Sequence, residues 1–97
     1  MNDTYNCNIV KDDSIRSSKT ATLSGVTYDD LVVTLGEPNV EDDPAKVRWS
    51  WGFRMNPSMS PMAIWDWKGS ADHNSWSIYG NSYRWSELFP EATITTL

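Results

Sequence analysis

The run from Val47 to Met55 constrains the fold more than any other part of the chain. Apolar side chains occupy every odd position of this run, and charged, hydroxyl or glycine residues occupy every even one. A period of two is typical of a strand that buries one face. Two more apolar runs follow, Met62–Lys68 and Ser75–Gly80, each preceded by turn-forming residues. The simplest arrangement is an antiparallel meander of three strands.

A short helix is predicted at about 27–35. The threonine at its start is suited to cap it, and Asp29 and Asp30 place carboxylates in its first turn, at the positive end of the helix dipole. Gly36 ends the helix, with a proline two residues later. A second short helix is predicted at about 82–89, where an asparagine precedes it and a proline follows it.

The predicted fold class is therefore α+β, with the first helix packed on a meander sheet of three to four antiparallel strands. Ile9–Val10, Ala21–Leu23 and the tail 92–97 are β-prone and are candidates for short edge strands. The length of 97 residues predicts a single domain. The polar composition of residues 1–20 is compatible with a mobile N-terminal segment.

The formal net charge is −5, which disfavours general binding to nucleic acid because phosphate backbones repel an acidic surface. An acidic surface can instead meet a basic region of a partner protein. The acidic residues that we predict to face such a partner are Asp29, Asp30, Glu41, Asp42 and Asp43.

Large aromatic groups occupy both faces of the second predicted strand. Trp65 and Trp67 point to one face of the strand, and Met62 and Ile64 point to the other. One face of the sheet therefore cannot bury all of these large side chains. Either the N-terminal segment or the C-terminal helix covers the second face, or part of it stays open as an aromatic patch. An open patch would mark a dimer contact or a ligand surface, with Trp65 and Trp67 as anchors for a partner.

Basic residues beside aromatic rings support a second hypothesis, in which cations bind phosphate and rings stack on a base. The same cations are ordinary ion-pair partners for carboxylates such as Asp66 and Glu87. The residues of this alternative ligand site are Arg48, Arg54, Lys68, Trp76 and Tyr79.

A single cysteine, Cys7, rules out an intrachain disulfide, and a single histidine, His73, rules out a histidine-rich metal site. A serine, histidine and aspartate around His73 lie in one predicted loop and supply no preorganised base or oxyanion hole. We therefore predict no catalytic residue, no metal and no cofactor, and expect a protein that is not an enzyme. Neither a signal peptide nor a membrane span is evident, which predicts a cytoplasmic location.

Several of these runs, taken together, resemble a pattern found in short uncharacterised bacteriophage proteins. The resemblance spans about residues 25–81 and rests on Gly25–Leu31, Leu35–Pro38, Lys46–Val47 with Trp49, Trp51 and Phe53, Ala63–Lys68 and Trp76–Gly80. The helix and its Leu35–Pro38 ending are also similar to the outer-membrane assembly lipoprotein domain of the SmpA/OmlA type. The first resemblance implies a phage origin, and small acidic phage proteins often act by occupying a host protein, including CRISPR effectors and other defence complexes.

The resulting hypothesis is a small phage protein that inhibits a host defence or regulatory protein by direct contact in the host cytoplasm. The first alternative is a sponge that sequesters a nucleotide immune signal. The second alternative is a structural or assembly protein of the virion. A homodimer is compatible with each of them.

Overall fold

The computed structural model describes residues 9–15, 18–41, 45–56 and 58–97, and the structural statements below concern these residues. Six strands and two α-helices are present among them. The strands are β1 (Ile9–Lys11), β2 (Ala21–Ser24), β3 (Ser50–Met55), β4 (Ser60–Trp65), β5 (Ser75–Tyr79) and β6 (Thr93–Thr96). The helices are α1 (Tyr28–Leu35) and α2 (Ser82–Leu88), and a short 3₁₀ helix covers Ser70–His73.

All six strands form one antiparallel sheet in the order β1-β3-β4-β5-β2-β6. The predicted α+β class and the central β3-β4-β5 meander are confirmed, but the prediction of three to four strands is wrong. Strand β2 is not an edge strand either, because it pairs with β5 on one side and β6 on the other. The additional strands β1, β2 and β6 fall in the three segments named as candidate edge strands, and with three or four residues each they are too short for an apolar period to establish them from sequence.

The inner face of the sheet holds the main core and carries both helices. Trp51, Ile64 and Ile78 stand opposite one another on three neighbouring strands. Helix α1 packs on this face through Leu31 and Leu35, which belong to the same buried cluster. The apolar odd positions of β3 therefore face the helices, as the period of two predicts.

Two buried tryptophans attach the chain on either side of α1 to the core. Trp51 Nε1 donates a hydrogen bond to the Gly36 carbonyl at 2.8 Å, and Trp76 Nε1 donates to the Val26 carbonyl at 2.7 Å. Their rings meet edge to face with centroids 5.7 Å apart, an arrangement that aromatic pairs favour. The helix is thus held at both ends by indole groups of the sheet.

The ends of α1 follow the predicted capping chemistry. The Thr27 side chain accepts a hydrogen bond from the Asp30 amide at 3.1 Å, and the Asp30 carboxylate accepts one from the Thr27 amide at 3.0 Å. This reciprocal pair is a capping box. At the other end Gly36 has a φ of 85°, which favours glycine, and its amide donates to the Val32 carbonyl at 2.9 Å.

Helix α2 begins after Asn81, whose side chain accepts a hydrogen bond from the Tyr83 amide at 2.8 Å. The helix ends at Leu88, one residue earlier than predicted. Trp85 is its buried anchor: the indole Nε1 donates to the Tyr79 carbonyl at 3.1 Å, and the ring packs edge to face on Phe53 with centroids 5.5 Å apart.

The outer face of the sheet is covered above β3 by two neighbouring segments. Asn39 bonds both main-chain groups of Gly52, through its Oδ1 at 3.1 Å and its Nδ2 at 2.9 Å. A Cβ atom at Gly52 would lie 2.6 Å from the Asp12 carbonyl oxygen and 3.2 Å from Val40. Only glycine permits this approach. Part of the N-terminal segment therefore covers the outer face, as one sequence hypothesis proposed, whereas α2 lies on the inner face.

Candidate binding surface

The remainder of the outer face carries an aromatic surface formed by Trp65 and Trp67, here called the tryptophan patch. Trp65 is half-buried and lies across from the small side chains of Ser50 and Ser77 on the adjacent strands. Trp67 follows just beyond the end of β4 and is 44% exposed. Lys19, Ser77 and the two rings line a shallow cavity of about 330 Å³. The sequence expectation of an open aromatic patch therefore has a counterpart at these two residues.

The position of Trp67 is set by its main-chain neighbours. Its amide donates to Ser70 Oγ at 3.1 Å, and the next amide, that of Lys68, donates to the Lys46 carbonyl at 2.7 Å. Lys68 and Gly69 both have positive φ, 52° and 83°, so the chain turns sharply after the ring. This turn presents the indole at the rim of the sheet.

Two lysines flank the Trp67 ring. The ammonium nitrogens of Lys46 and Lys68 lie 5.7 and 5.5 Å from its centroid, within the range of a cation–π attraction. Beside the ring, a second shallow cavity of about 650 Å³ is lined by Ala45, Lys46, Arg48, Lys68, Gly69 and Asp72. The patch is aromatic at its centre and basic at its rim, although the chain as a whole is acidic.

Arg48 is held by two carboxylates at the edge of this cavity. Its Nε donates to Oδ2 of Asp66 and its Nη2 donates to Oδ1 of Asp72, both at 3.0 Å. The hydrogen bonds that the guanidinium donates to Asp72 and to Asp66 raise its pKa above the ordinary value for arginine. The guanidinium also lies 4.5 Å from the Trp49 ring centroid. Arg48 is thus an ion-pair partner of Asp66. Ion pairing with a carboxylate was the alternative that the sequence offered to phosphate binding.

Asp66 separates the two tryptophans and is fully buried. Its Oδ1 accepts hydrogen bonds from the amides of Arg48 and Trp49, at 2.8 and 3.1 Å. Together with the Arg48 side chain, this carboxylate fixes the segment that enters β3 to the end of β4. Both of its oxygens are used within the fold.

The other residues of the alternative ligand site lie apart. Arg54 is near the opposite end of β3, where its Nε donates to Asp12 at 2.8 Å. Hydrogen bonds from Ser14 and Arg54 lower the pKa of Asp12 to about 2. Tyr79 lies half-buried on the outer face, across from Ala63. Of the five predicted ligand residues, the structure brings together Arg48 and Lys68.

Trp76 is 0% exposed and lies on the inner face in the core. Its ring is closed to a ligand in this structure, because β5 presents it to α1 rather than to the outer surface. Trp76 is therefore left out of the candidate surface.

Asp29 and Asp30, two of the predicted acidic residues, lie away from the tryptophan patch. Asp29 and Asp30 occupy the first turn of α1, on the helical side of the sheet. Glu41 is exposed, and Asp42 and Asp43 lie outside the described residues. Burial raises the pKa of the nearby Tyr28 hydroxyl, and the charges of Glu37 and Asp29 raise it further. The sheet separates the acidic start of α1 from the two tryptophans.

No family model, curated protein or solved structure matches this chain. The resemblances to bacteriophage proteins and to the SmpA/OmlA-type domain therefore stay predictions. Among the described residues, no helix is long and apolar enough to span a membrane. Nor does this part of the chain gather three or more histidine, cysteine or acidic side chains suited to hold a metal ion.

Sequence reasoning missed Lys19 and Lys46 as neighbours of the tryptophan patch. A signal for Lys46 was present: it directly precedes the first predicted strand and Lys68 ends the second, and these two ends of an antiparallel hairpin lie side by side. No comparable signal existed for Lys19. It reaches the patch because β2 pairs with β5, a strand more than fifty residues away in the chain.

Proposed function

We propose that this protein is a small binding protein that inhibits a host defence or regulatory protein by direct contact, with the tryptophan patch as its anchor. The single observation that carries the proposal is Trp67, which is 44% exposed beside the half-buried Trp65. Exposed tryptophans next to apolar surface are common energetic centres of protein interfaces.

The local structure supports this role because neighbouring groups restrict the Trp67 side chain. Lysines lie on the ring and main-chain hydrogen bonds hold the turn behind it. Binding through such a ring loses little conformational freedom, so more of the burial free energy remains as affinity. A long flexible side chain at the same place would lack this advantage.

The charge distribution predicts what the partner presents. Opposite Lys19, Lys46 and Lys68 we expect carboxylates or main-chain carbonyls. The acidic residues proposed to steer association favour a partner that also has a basic region. Those acidic residues are Asp29, Asp30, Glu41, Asp42 and Asp43.

The test is affinity capture from host lysate at low and high salt, with partners identified by mass spectrometry. The wild type is compared with Trp67→Ala and with Tyr83→Ala, since Tyr83 is an exposed aromatic residue on α2, 69% accessible. We expect one stoichiometric protein with the wild type and the Tyr83 variant. The Trp67 variant should bind it roughly tenfold or more weakly. Equal capture by all three proteins, or no partner at all, would contradict the proposal.

A second candidate function is sequestration of a nucleotide signal. It is favoured by the cavity that Lys46, Lys68 and Arg48 line, because the two lysine nitrogens also lie 5.7 and 5.5 Å from the centroid of the Trp67 ring. The lysines would bind phosphate oxygens while the indole stacks on the base. Arg48 is occupied by carboxylates, so the two lysines would supply most of the positive charge.

Titration with a cyclic dinucleotide, followed by tryptophan fluorescence, tests this candidate. We expect stoichiometric quenching in the wild type, loss of that signal in Trp67→Phe, and weaker binding in Lys46→Gln. Lys11→Gln changes the net charge equally, but Lys11 lies in β1 and interacts with the Glu37 carbonyl, so this control should bind like the wild type. Fluorescence that does not respond to the nucleotide would reject sequestration of this ligand.

A further inference from the structure

Strand β6 forms one edge of the sheet. It pairs with β2 on its inner side, and its other side faces no strand among the described residues. The Leu97 amide donates to the Thr20 carbonyl at 3.2 Å, which continues the β2–β6 register by one residue pair. Antiparallel ladders alternate the direction of their main-chain groups. Thr93, Thr95 and Leu97 therefore bond towards β2, and the main-chain groups of Ile94 and Thr96 point outwards.

Strand β6 has only four residues, but it lacks the charge, proline and bulge that often protect sheet edges from pairing. Such edges usually carry a charge, a proline, a bulge or a very short strand. Strand β6 reads Thr-Ile-Thr-Thr and pairs with β2 in continuous register without a bulge. The opposite edge, β1, differs: it has three residues and ends in Lys11, whose ammonium group reaches the Glu37 carbonyl at 3.4 Å.

We propose that β6 binds β6 of a second copy of this chain, so that two sheets join into one across a two-fold axis. The outward main-chain groups of Ile94 and Thr96 determine how the two β6 strands align. Pairing Ile94 with Thr96 of the other copy places Thr95 opposite Thr95 and satisfies the outward amide and carbonyl groups of both residues. A shift that pairs Ile94 with Ile94 would set Thr96 opposite Ala92, whose amide already donates to the Phe89 carbonyl at 3.1 Å.

Charge is compatible with this contact although each copy carries a net charge of −5. The strand itself is uncharged, and its nearest acidic neighbour along the chain is Glu91. In the proposed register the two Glu91 residues lie at opposite ends of the ladder, roughly 27 Å apart at about 3.4 Å per residue. That separation exceeds the Debye length at physiological salt, about 8 Å. We therefore expect added salt to strengthen the dimer or leave it unchanged.

Sedimentation velocity over about a hundredfold range of concentration is the test, because a contact between two short strands predicts a weak dimer. We expect a concentration-dependent dimer for the wild type. Thr95→Lys and Thr95→Glu should each weaken it by roughly threefold or more, since like charges then stand directly opposite across the axis. An equimolar mixture of these two variants should recover the dimer, because lysine then faces glutamate.

Thr93→Lys is the matched control: it adds the same charge to an exposed position on the same strand face but does not meet itself across the axis. Its dimer should be retained. Thr96→Pro removes an outward amide while sparing the bonds to β2, and should weaken the dimer roughly tenfold. Near-ultraviolet circular dichroism checks that each variant is folded.

A wild type that stays monomeric throughout the range would overturn the proposal. So would a dimer that the Thr95 and Thr96 variants leave intact, or a mixture that fails to recover association. The contact does not involve the tryptophan patch, so Trp67→Ala should leave dimerisation unchanged. The proposal of a β6 dimer and the proposal of a host-protein contact can therefore be contradicted independently of each other.

Discussion

At the scale of single residues, Asp66 shows how a polar side chain between two surface tryptophans serves the fold. It is fully buried, and it accepts hydrogen bonds from two amides and a guanidinium. Burial of a carboxylate is unfavourable unless such partners replace its water. Asp66 thereby allows Trp65 and Trp67 to stay on the outer face while the chain between them is anchored inside.

We predict that Asp66→Ala lowers the free energy of unfolding by about 2–4 kcal/mol, because it leaves two amides without their acceptor. Asp66→Asn should cost less, since its amide oxygen still accepts from the main chain. The measurement is denaturant unfolding, monitored by tryptophan fluorescence.

Asp72→Ala is the control for this prediction. Asp72 bonds the same arginine, but its side chain is 68% exposed, so its loss should cost less than about 1 kcal/mol. Equal losses for the Asp66 and Asp72 variants would show that burial of Asp66 contributes little to stability.

At the scale of elements, α1 forms despite a sequence that favours strands. Val32, Val33 and Thr34 are β-branched and have poor helix propensity. The capping box at Thr27 and the burial of Leu31 and Leu35 oppose this tendency. The helix depends on its cap and on the sheet beneath it.

Replacing Thr27 by alanine should therefore destabilise the protein by about 1 kcal/mol, the usual cost of a lost N-cap. Thr27→Ser keeps a hydroxyl in place and should lie within a few tenths of a kcal/mol of the wild type. Urea denaturation of the three proteins gives the comparison. A serine variant as unstable as the alanine variant would mean that the hydroxyl is not what matters at this position.

At the scale of the whole molecule, the sheet divides two chemically different surfaces. The helical side carries the acidic first turn of α1, and the outer face carries the tryptophans with the lysines around them. The net charge of −5 is therefore an average over the chain and does not give the local charge of either surface. Electrostatic steering by such a molecule depends on which side approaches first, and added salt would screen both.

Much of the fold is predictable because its signals are local. The capping residue and glycine around α1, the helix after Asn81 and the period of two in β3 each act within one or two turns of chain. These features also imply the β3-β4-β5 meander, since consecutive strands joined by short turns usually pair. The candidate surface was predictable only in part, through Trp65, Trp67 and Lys68.

The sequence by itself determined which side chains share a face of each strand, but the tertiary structure decided which face became the interior. Trp67 and Trp76 are equally apolar in the sequence, yet the first lies at the surface and the second in the core. Likewise, β2 lies inside the sheet because β5 and β6 both pair with it. The physical reason is that burial and strand pairing depend on segments far apart in the chain, and side-chain alternation along one strand carries no information about them.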